Sequence, residues 1–190
     1  MPSTVLPQPK DSRSSDSDKD RLYEVVNGVE VEVPHMGKNA ALVASELAYY
    51  LRHFAAANKL GFVAVETLFR FAADRPQRRP DVAFISSARA AAAPTLSDDD
   101  PPAWEVVPNI AVEVISPTNT VKETNARVQE YFDAGVESVW VVDPASRRVD
   151  VYESPTKVRI HGPGDTLDGK PVLAGFQLKL ADLFAVLNPR

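Results

Sequence analysis

The feature that most constrains this chain is residues 109–117, NIAVEVISP, where one carboxylate interrupts an apolar run. Positions 110–115 are apolar except for Glu113, and Pro117 ends the run. Such a short run, rich in β-branched residues, is typical of a strand at the centre of a sheet that is covered on both faces. Alternation along the strand places Glu113 on the same face as Ala111 and Ile115. Because an ionised carboxylate is costly to bury alone, Glu113 needs a cation, a metal or a hydrogen-bond donor as its partner.

The patterns around this strand predict an α/β domain in which a central mixed β-sheet lies between helices. Alternating residues on either side of Asn27-Gly28 predict an N-terminal hairpin, since Asn-Gly supplies the positive φ angles of a tight turn. Helical spacing of apolar residues predicts a first helix over 38–58. Thr120 and Glu123 have the spacing of a capping box and predict a second helix that ends at Gly135.

The remaining segments complete this prediction. The helix after Glu113 carries its apolar stripe on Val121, Val128 and Phe132, with Tyr131 at one rim, and leads to a buried strand at 138–142, so that the two strands should be parallel. Short strands are expected at 62–65, 68–71 and 81–85, a basic turn at 74–80, a long functional or mobile loop at 86–108, a solvent-facing hairpin at 148–160, and a closing helix at 180–187.

Composition narrows the class of protein. Residues 1–19 are polar and predict a disordered tail, which leaves 20–190 as a single domain. The chain has no cysteine, which excludes disulfides and thiolate metal sites and makes a reducing cytoplasm the expected compartment. No apolar run is long enough to span a membrane, and the N-terminus lacks a signal-peptide core. The net charge of −5 argues against bulk electrostatic coating by nucleic acid, although a local basic groove is compatible with it.

Two carboxylates occupy strands that are otherwise apolar, Asp81 and Glu113. The spacing between them fits neighbouring strands joined by the long loop. Paired carboxylates at the ends of adjacent strands can hold Mg²⁺, which prefers oxygen ligands and retains several waters. A metal held in this way can activate water and stabilise the charge that develops on a phosphate.

Four motifs in order resemble one known family: RPDVAF at 79–84, VEVISP at 112–117, Tyr131 through Gly135, and VWVVDP at 139–144. They are similar to the Uma-type putative restriction endonuclease family, within the PD-(D/E)XK nuclease superfamily. The resemblance covers nearly the whole chain after the tail, including the opening hairpin.

The resemblance implies a restriction-endonuclease-like core, a metal-dependent phosphodiesterase site using Mg²⁺ or Mn²⁺, DNA as the partner, and a homodimer. Asp81 matches the family's first acid and Glu113 its second, so both are expected to be catalytic and to bind the metal. The wider superfamily has a lysine where this chain has Ile115. The Uma-type pattern takes its lysine from the next helix, four residues before the tyrosine, and here that position is Arg127.

This departure affects the expected chemistry. Arg127 can stabilise phosphate charge, but it cannot lose its proton near neutral pH and so cannot tune a nucleophilic water. Lys122, the only lysine in this segment, lies on the opposite rim of the predicted helix and is a poor replacement. A histidine common at the start of the family's first helix is replaced by Asn39.

Each candidate has a structural alternative. Asp81 and Glu113 would also fit buried salt bridges with Arg127 or Arg79, and Arg127 would also fit an exposed pair with Glu123 one turn earlier. The basic residues Arg70, Arg75, Arg78 and Arg79 are either phosphate contacts or solvated surface, and of these Arg78 and Arg79, together with Lys122, are the candidate nucleic-acid contacts. Packing is the expected role of Tyr131, Trp104 and Trp140, and Glu46 and Glu66 are expected to be structural charges.

Three functions remain open. The first is a Mg²⁺-dependent endonuclease that cuts DNA phosphodiesters, with Asp81 and Glu113 on the metal and Arg127 on the scissile phosphate. The second is a degenerate nuclease fold that serves as a binding or assembly module, which Arg127 and the negative net charge favour. The third is a hydrolase that uses the two carboxylates as acid and base without metal, and it would remain active in chelator.

Overall fold

The protein is described by a computed structural model that covers residues 22–26, 28–33, 35–71, 76–93, 103–116 and 119–188. The predicted tail at 1–19, as well as Asn27, Arg75 and Pro117, lies outside the described residues. Among the described residues, no helix is long and apolar enough to cross a membrane.

Twelve strands and four helices make up the described chain. The strands are β1 (Tyr23–Val26), β2 (Val29–Glu32), β3 (Gly61–Val65), β4 (Phe69–Arg70), β5 (Gln77–Arg78), β6 (Val82–Ser86), β7 (Ile110–Val114), β8 (Ser138–Asp143), β9 (Arg148–Ser154), β10 (Lys157–His161), β11 (Thr166–Gly169) and β12 (Leu173–Lys179). The helices are α1 (Lys38–Ala57), α2 (Ser87–Ala92), α3 (Val121–Ala134) and α4 (Leu180–Phe184), and a 3₁₀ turn at Ala185–Leu187 follows α4.

A six-stranded mixed sheet forms the centre, in the order β10-β9-β8-β7-β6-β3. Strands β7 and β8 are parallel, and the other neighbouring pairs are antiparallel. The connection from β7 to β8 runs through α3, which confirms the predicted parallel unit. The predicted fold class is therefore confirmed: a central mixed sheet flanked by helices.

The two faces of β7 pack against different helices. Ile110, Val112 and Val114 belong to a buried cluster that includes the apolar stripe of α1. Ala111, with Ile115 just after the strand, packs with residues of α3. Glu113 shares the face of Ala111 and Ile115, as alternation predicted, and so it points toward α3.

Both ends of α3 are as the sequence predicts. The Thr120 side chain accepts a bond from the Glu123 N–H while the Glu123 carboxylate accepts one from the Thr120 N–H, and the helix ends at Gly135 in the left-handed region, at φ 96°. The predicted stripe is wrong at Val121, which is 78% exposed. This residue is the first of α3, and its side chain is not among those that pack with Val128 against the central sheet.

A smaller sheet lies beside the central one, in the order β2-β1-β5-β4. The predicted hairpin forms its edge, with Val26 paired to Val29 across the tight turn. The predicted basic turn at 74–80 is wrong at Gln77 and Arg78, which form β5. Strand β5 lies between β1 and β4 and pairs with an edge of each.

Two other expectations need correction, and one pair of strands had not been predicted. The predicted loop at 86–108 contains α2, whose alanines favour helix and whose first turn is capped by the Ser86 hydroxyl; residues 94–102 of it lie outside the described part. The hairpin β9–β10 is not wholly solvent-facing, because β9 pairs with β8 and buries Val149 and Val151. The antiparallel pair β11–β12 was not predicted.

Candidate active site

The two predicted acids lie side by side at one end of the β6–β7 pair. The antiparallel register pairs Val82 with Val112, which places Asp81 beside Glu113 across the ladder. The main-chain N–H of Val114 donates to Asp81 Oδ2 at 2.6 Å and fixes this carboxylate against β7. The pairing of β6 with β7 thus brings together two residues that are 32 positions apart in the sequence.

Burial dominates the electrostatics of Asp81. It raises the pKa of Asp81 to about 6, although the Val114 N–H and the Arg127 guanidinium both lower it. Glu66 and Glu24 add to the rise by repulsion. Glu66 is also tied to this position by its main chain, since its N–H donates to the Asp81 carbonyl at 3.2 Å.

Glu113 is more strongly perturbed, with a side chain that is only 16% exposed. Burial raises its pKa to about 8, against the lowering effect of Arg127, and the nearby Asp81 raises it further. The Tyr131 hydroxyl donates to Glu113 Oε1 at 2.6 Å. Arg127 Nη1 lies 3.6 Å from the same oxygen. Both α3 partners therefore engage one oxygen of this carboxylate.

Tyr131 does more than the packing expected of it. It is fully buried, and its ring meets Phe71 edge to face at 6.0 Å. Burial and the neighbouring Glu113 raise the pKa of its hydroxyl well above the ordinary value, so the group keeps the proton that it donates. Residues 127 and 131 lie one helical turn apart and therefore both reach β7. That spacing, opposite a buried acid, is the sequence signal for Tyr131.

Arg127 is held by a residue that the sequence interpretation missed. Its Nη1 lies 2.7 Å from Glu24 Oε1, on β1 of the small sheet. Burial alone would lower its pKa, but Glu113, Tyr131 and Glu24 together raise it, so Arg127 remains a cation. The alternative partner, Glu123, instead caps the helix through Thr120.

Glu24 is the most heavily bonded carboxylate of the site. Its side chain is 4% exposed and accepts bonds from Arg127, from Arg78 Nη1 at 2.7 Å and from the main-chain N–H of Arg79 at 3.0 Å. These partners lie 54, 55 and 103 residues away in the sequence. Because no local pattern connects such distant positions, the sequence did not indicate the role of Glu24. It showed only that Glu24 lies in the opening hairpin, which is part of the family resemblance.

The three candidate nucleic-acid contacts lie in different settings. Arg78 has a side chain 9% exposed and is shared between Glu24 and Glu130 of α3. Arg79 bonds the carbonyls of Tyr23 and Glu66. Lys122 is exposed on the first turn of α3. Contact of these residues with DNA stays a prediction.

An open cavity of about 450 Å³ lies over Glu113 and Arg127. It is bounded by β2, by the end of β7 and by the first three turns of α3. Five carboxylates line it against two guanidinium groups, so the cavity carries a negative formal charge, which attracts cations. The carboxylates are those of Glu24, Glu32, Glu113, Glu123 and Glu130, and the guanidinium groups are those of Arg78 and Arg127.

The donor set for a metal consists of two carboxylates. In the described part of the chain, no three Asp, Glu or His side chains come together as a ready-made metal cage. Asp81 Oδ1 and Glu113 Oε2 each remain without a hydrogen bond from the described residues, while their partner oxygens are engaged. Two free carboxylate oxygens on adjacent strands fit Mg²⁺, which is commonly bound by one or two carboxylates together with waters and substrate phosphates.

Besides Arg127, the chain departs from the pattern of the wider superfamily at Ile115 and from that of the family at Asn39. Ile115 packs in the apolar cluster under α3. Asn39, at the start of α1, borders a second cavity of about 530 Å³ that adjoins the first through Ile115 and Asn119. Neither residue adds an ionisable group to the pair.

Comparisons with known proteins identify the family and the fold of this chain. Residues 11–181 match the model of the Uma2 family, described as "Putative restriction endonuclease". Among solved structures, the chain is similar to a "putative nuclease belonging to DUF820" from Anabaena variabilis, with a TM-score of 0.74 and 17% identity over 87% of this chain and 91% of that one. At this identity the likeness concerns the fold. The search of curated proteins found no match.

Proposed function

The chain belongs to the Uma2 family, described as "Putative restriction endonuclease", and we propose that it is a metal-dependent endonuclease that hydrolyses phosphodiester bonds in DNA. The observation that carries the proposal is the pairing of Asp81 and Glu113 at the ends of adjacent strands, beside the fixed cation of Arg127. A family of nucleases makes DNA the substrate to test first.

Asp81 and Glu113 would hold Mg²⁺ or Mn²⁺ through their free oxygens. The metal, when bound, supplies an activated water and stabilises the charge developing on the phosphate. The chain's own residues orient this pair: the Val114 N–H holds Asp81, and the Tyr131 hydroxyl holds Glu113. Each of these bonds occupies one oxygen of its acid and leaves the other oxygen available to a metal.

Arg127 would contact the scissile phosphate as a fixed positive charge. Its pKa lies above the ordinary arginine value, so it neither gives nor takes a proton at any physiological pH. It therefore contributes to catalysis by binding and charge stabilisation alone. The Tyr131 hydroxyl, with its raised pKa, likewise remains protonated.

The proposal is tested by a cleavage assay on supercoiled plasmid and labelled duplex and single-stranded oligonucleotides, with Mg²⁺, Mn²⁺ or chelator. Wild type should cut only with metal, and Asp81→Asn and Glu113→Gln should each lose at least about a hundredfold in rate. The matched control is Asp133→Asn, which removes an exposed carboxylate from the same helix as Arg127. Equal cutting by all four proteins would reveal a contaminating nuclease and contradict the proposal. Cutting in chelator that Asp81→Asn or Glu113→Gln abolishes would instead identify the metal-free hydrolase.

A second candidate function is a binding or assembly module without turnover. It is favoured by the ion pairs of Arg127 with Glu24 and Glu113, which neutralise the charge of the Arg127 guanidinium without any ligand. This candidate predicts binding of labelled duplex, unaffected by metal, with no cleavage under any condition in the same assay.

Two finer features belong to the same proposal. We expect a homodimer, which light scattering of the purified chain would test. We also expect a cytoplasmic location, on the basis of the cysteine-free composition, and fractionation of the source cells would test it.

A further inference from the structure

The small sheet contributes Glu24, Glu32 and Arg78 to the cavity, and Glu24 is the one that bonds Arg127. Glu24 on β1 is buried, and both of its oxygens are occupied by donors. It touches neither Asp81 nor Glu113 through any hydrogen bond of the described residues, and it lines the same cavity as Glu113. Arg127 joins it to Glu113, since this guanidinium bonds Glu24 and pairs with Glu113, and the charge of Glu24 also acts on both acids.

The distances around Arg127 show which carboxylate holds it. Nη1 lies 2.7 Å from Glu24 Oε1 and 3.6 Å from Glu113 Oε1. The first is a hydrogen bond and the second is an ion pair without one. Glu24 therefore competes successfully with Glu113 for this guanidinium. A side chain as long as arginine, 31% exposed, would otherwise be free to close on Glu113 or to extend into solvent.

Glu24 is itself fixed from the opposite side. Arg78 bonds Glu24 through Nη1 and Glu130 of α3 through Nε at 2.7 Å. The small sheet is thus tied to α3 at Glu130 and again, one turn earlier, at Arg127. A carboxylate anchored in this way offers a constant point of attachment for the guanidinium.

From this geometry we propose that Glu24 is a positioning residue for the nuclease site. It holds the Arg127 guanidinium beside Glu113 without allowing it to close on the carboxylate that the metal needs. The inference rests on the proposed function, in which Glu113 binds metal and Arg127 meets the phosphate. On this proposal, the small sheet helps to position the residues of the site.

The test is a double-mutant cycle of wild type, Glu24→Gln, Arg127→Gln and the double variant, with Mn²⁺ affinity measured by calorimetry. In Glu24→Gln the guanidinium should move onto Glu113 and weaken Mn²⁺ binding by about tenfold or more, the size expected for a partner that orients a ligand. In the Arg127→Gln background the same change should alter the affinity by less than about threefold, because the two residues act as a unit.

The matched control is Glu130→Gln. It removes a carboxylate from the same cavity and breaks the same Arg78 network, but it leaves the Glu24–Arg127 bond in place. It should change the Mn²⁺ affinity by less than about threefold. An effect equal to that of Glu24→Gln would assign the loss to cavity charge or to weakened packing, and would overturn the proposal. So would an undiminished effect of Glu24→Gln in the Arg127→Gln background.

A second measurement needs neither metal binding nor activity. In wild type, the Arg127 guanidinium NMR signals should show slowed rotation about the Cζ–Nε bond, because Glu24 holds one amino group. Glu24→Gln should change the chemical shifts and the rotation rate of these signals, because the guanidinium exchanges its bond with Glu24 for one with Glu113, and Glu130→Gln should leave both unchanged. Free rotation in wild type would overturn the proposal even if Glu24→Gln failed to fold. If wild type binds no Mn²⁺ while the rotation is slowed as described, the proposed function fails and the role of Glu24 in placing Arg127 stands.

Discussion

At the scale of single residues, Glu113 combines a functional position with a large electrostatic perturbation. Its pKa is about 8 in the folded chain against an ordinary value of 4.5, chiefly because it is buried. The folded state therefore binds this proton more tightly than the unfolded state. The resulting stabilisation is complete below pH 4.5 and is lost as the pH rises through 8. Asp81, with its pKa raised to about 6, contributes in the same direction at lower pH.

This perturbation predicts how stability depends on pH. Between pH 5 and pH 9, the free energy of unfolding of Glu113→Gln should rise relative to that of metal-free wild type by on the order of 2–4 kcal/mol, since the amide has no proton to lose. Urea unfolding at a series of pH values measures the difference, with Asp133→Asn as the control. Parallel stability curves for wild type and Glu113→Gln would show that the Glu113 pKa is not raised.

Tyr131 gives a second prediction at this scale. Tyr131→Phe keeps the buried ring and removes the hydroxyl that holds Glu113 Oε1. We expect Mg²⁺-dependent cleavage to fall by about tenfold while the free energy of unfolding changes by less than about 1.5 kcal/mol. Rate assays and urea unfolding on the same preparation separate the two effects. Wild-type cleavage in Tyr131→Phe would assign the tyrosine to packing alone.

The sequence could predict some site residues and not others. Asp81 and Glu113 were predictable because each is a charge within an apolar strand, where burial demands a reason. The bond between Arg127 and Glu24 was not predictable. The sequence offered Glu123, one helical turn before Arg127, whereas Glu24 lies 103 residues away in the sequence. Glu24 acquires its role only when β1, α3 and β7 are brought together, whereas Tyr131 is marked in the sequence by its one-turn spacing from Arg127.

At the scale of elements, α3 presents Arg127 and Tyr131 to the sheet, and its N-terminus depends on the Thr120–Glu123 capping box. Thr120→Ala should lower the free energy of unfolding by about 1 kcal/mol, because it removes one partner of the first-turn N–H groups. Thermal denaturation measures this loss. Val121→Ala, at the neighbouring exposed position, should cost less than about 0.5 kcal/mol. Equal effects would mean that the cap does not stabilise the helix.

The attachment of the small sheet depends on Arg78 in a comparable way. Arg78→Met would leave the buried Glu24 short of a donor and free Glu130, and should cost about 2–4 kcal/mol of stability. Arg70→Met breaks the exposed pair with Glu105, whose side chain is 45% exposed, and should cost less than about 1 kcal/mol. Urea unfolding compares the two variants. A small, equal loss would show that the Arg78 pairs do not hold the small sheet to α3.

At the scale of the whole molecule, the parts that could be predicted are those specified by local patterns. Strand β7, helix α3 and strand β8 follow one another in the sequence, so their periodicities and caps define the parallel unit. Strand β5 and the pair β11–β12 are specified by neighbours rather than by their own residues. Arg78, for example, is found in a strand because β1 and β4 both present edges to it.

The architecture also explains how distant segments form one site. The mixed sheet brings Asp81 to Glu113, α3 covers the pair with Arg127 and Tyr131, and the small sheet closes the network through Glu24. The negative formal charge of the cavity would attract a cation. The bound metal and Arg127 would then bind the negatively charged phosphates of DNA.

The central claim, a metal site made by Asp81 and Glu113, is tested most directly by titrating the metal-free protein with Mn²⁺ in a calorimeter, alone and with an uncleavable phosphorothioate duplex. The account predicts that wild type and Asp133→Asn bind Mn²⁺ and that the Asp81→Asn/Glu113→Gln double variant does not. Failure of wild type to bind Mn²⁺ both alone and with the duplex would contradict it, as would unchanged binding by the double variant.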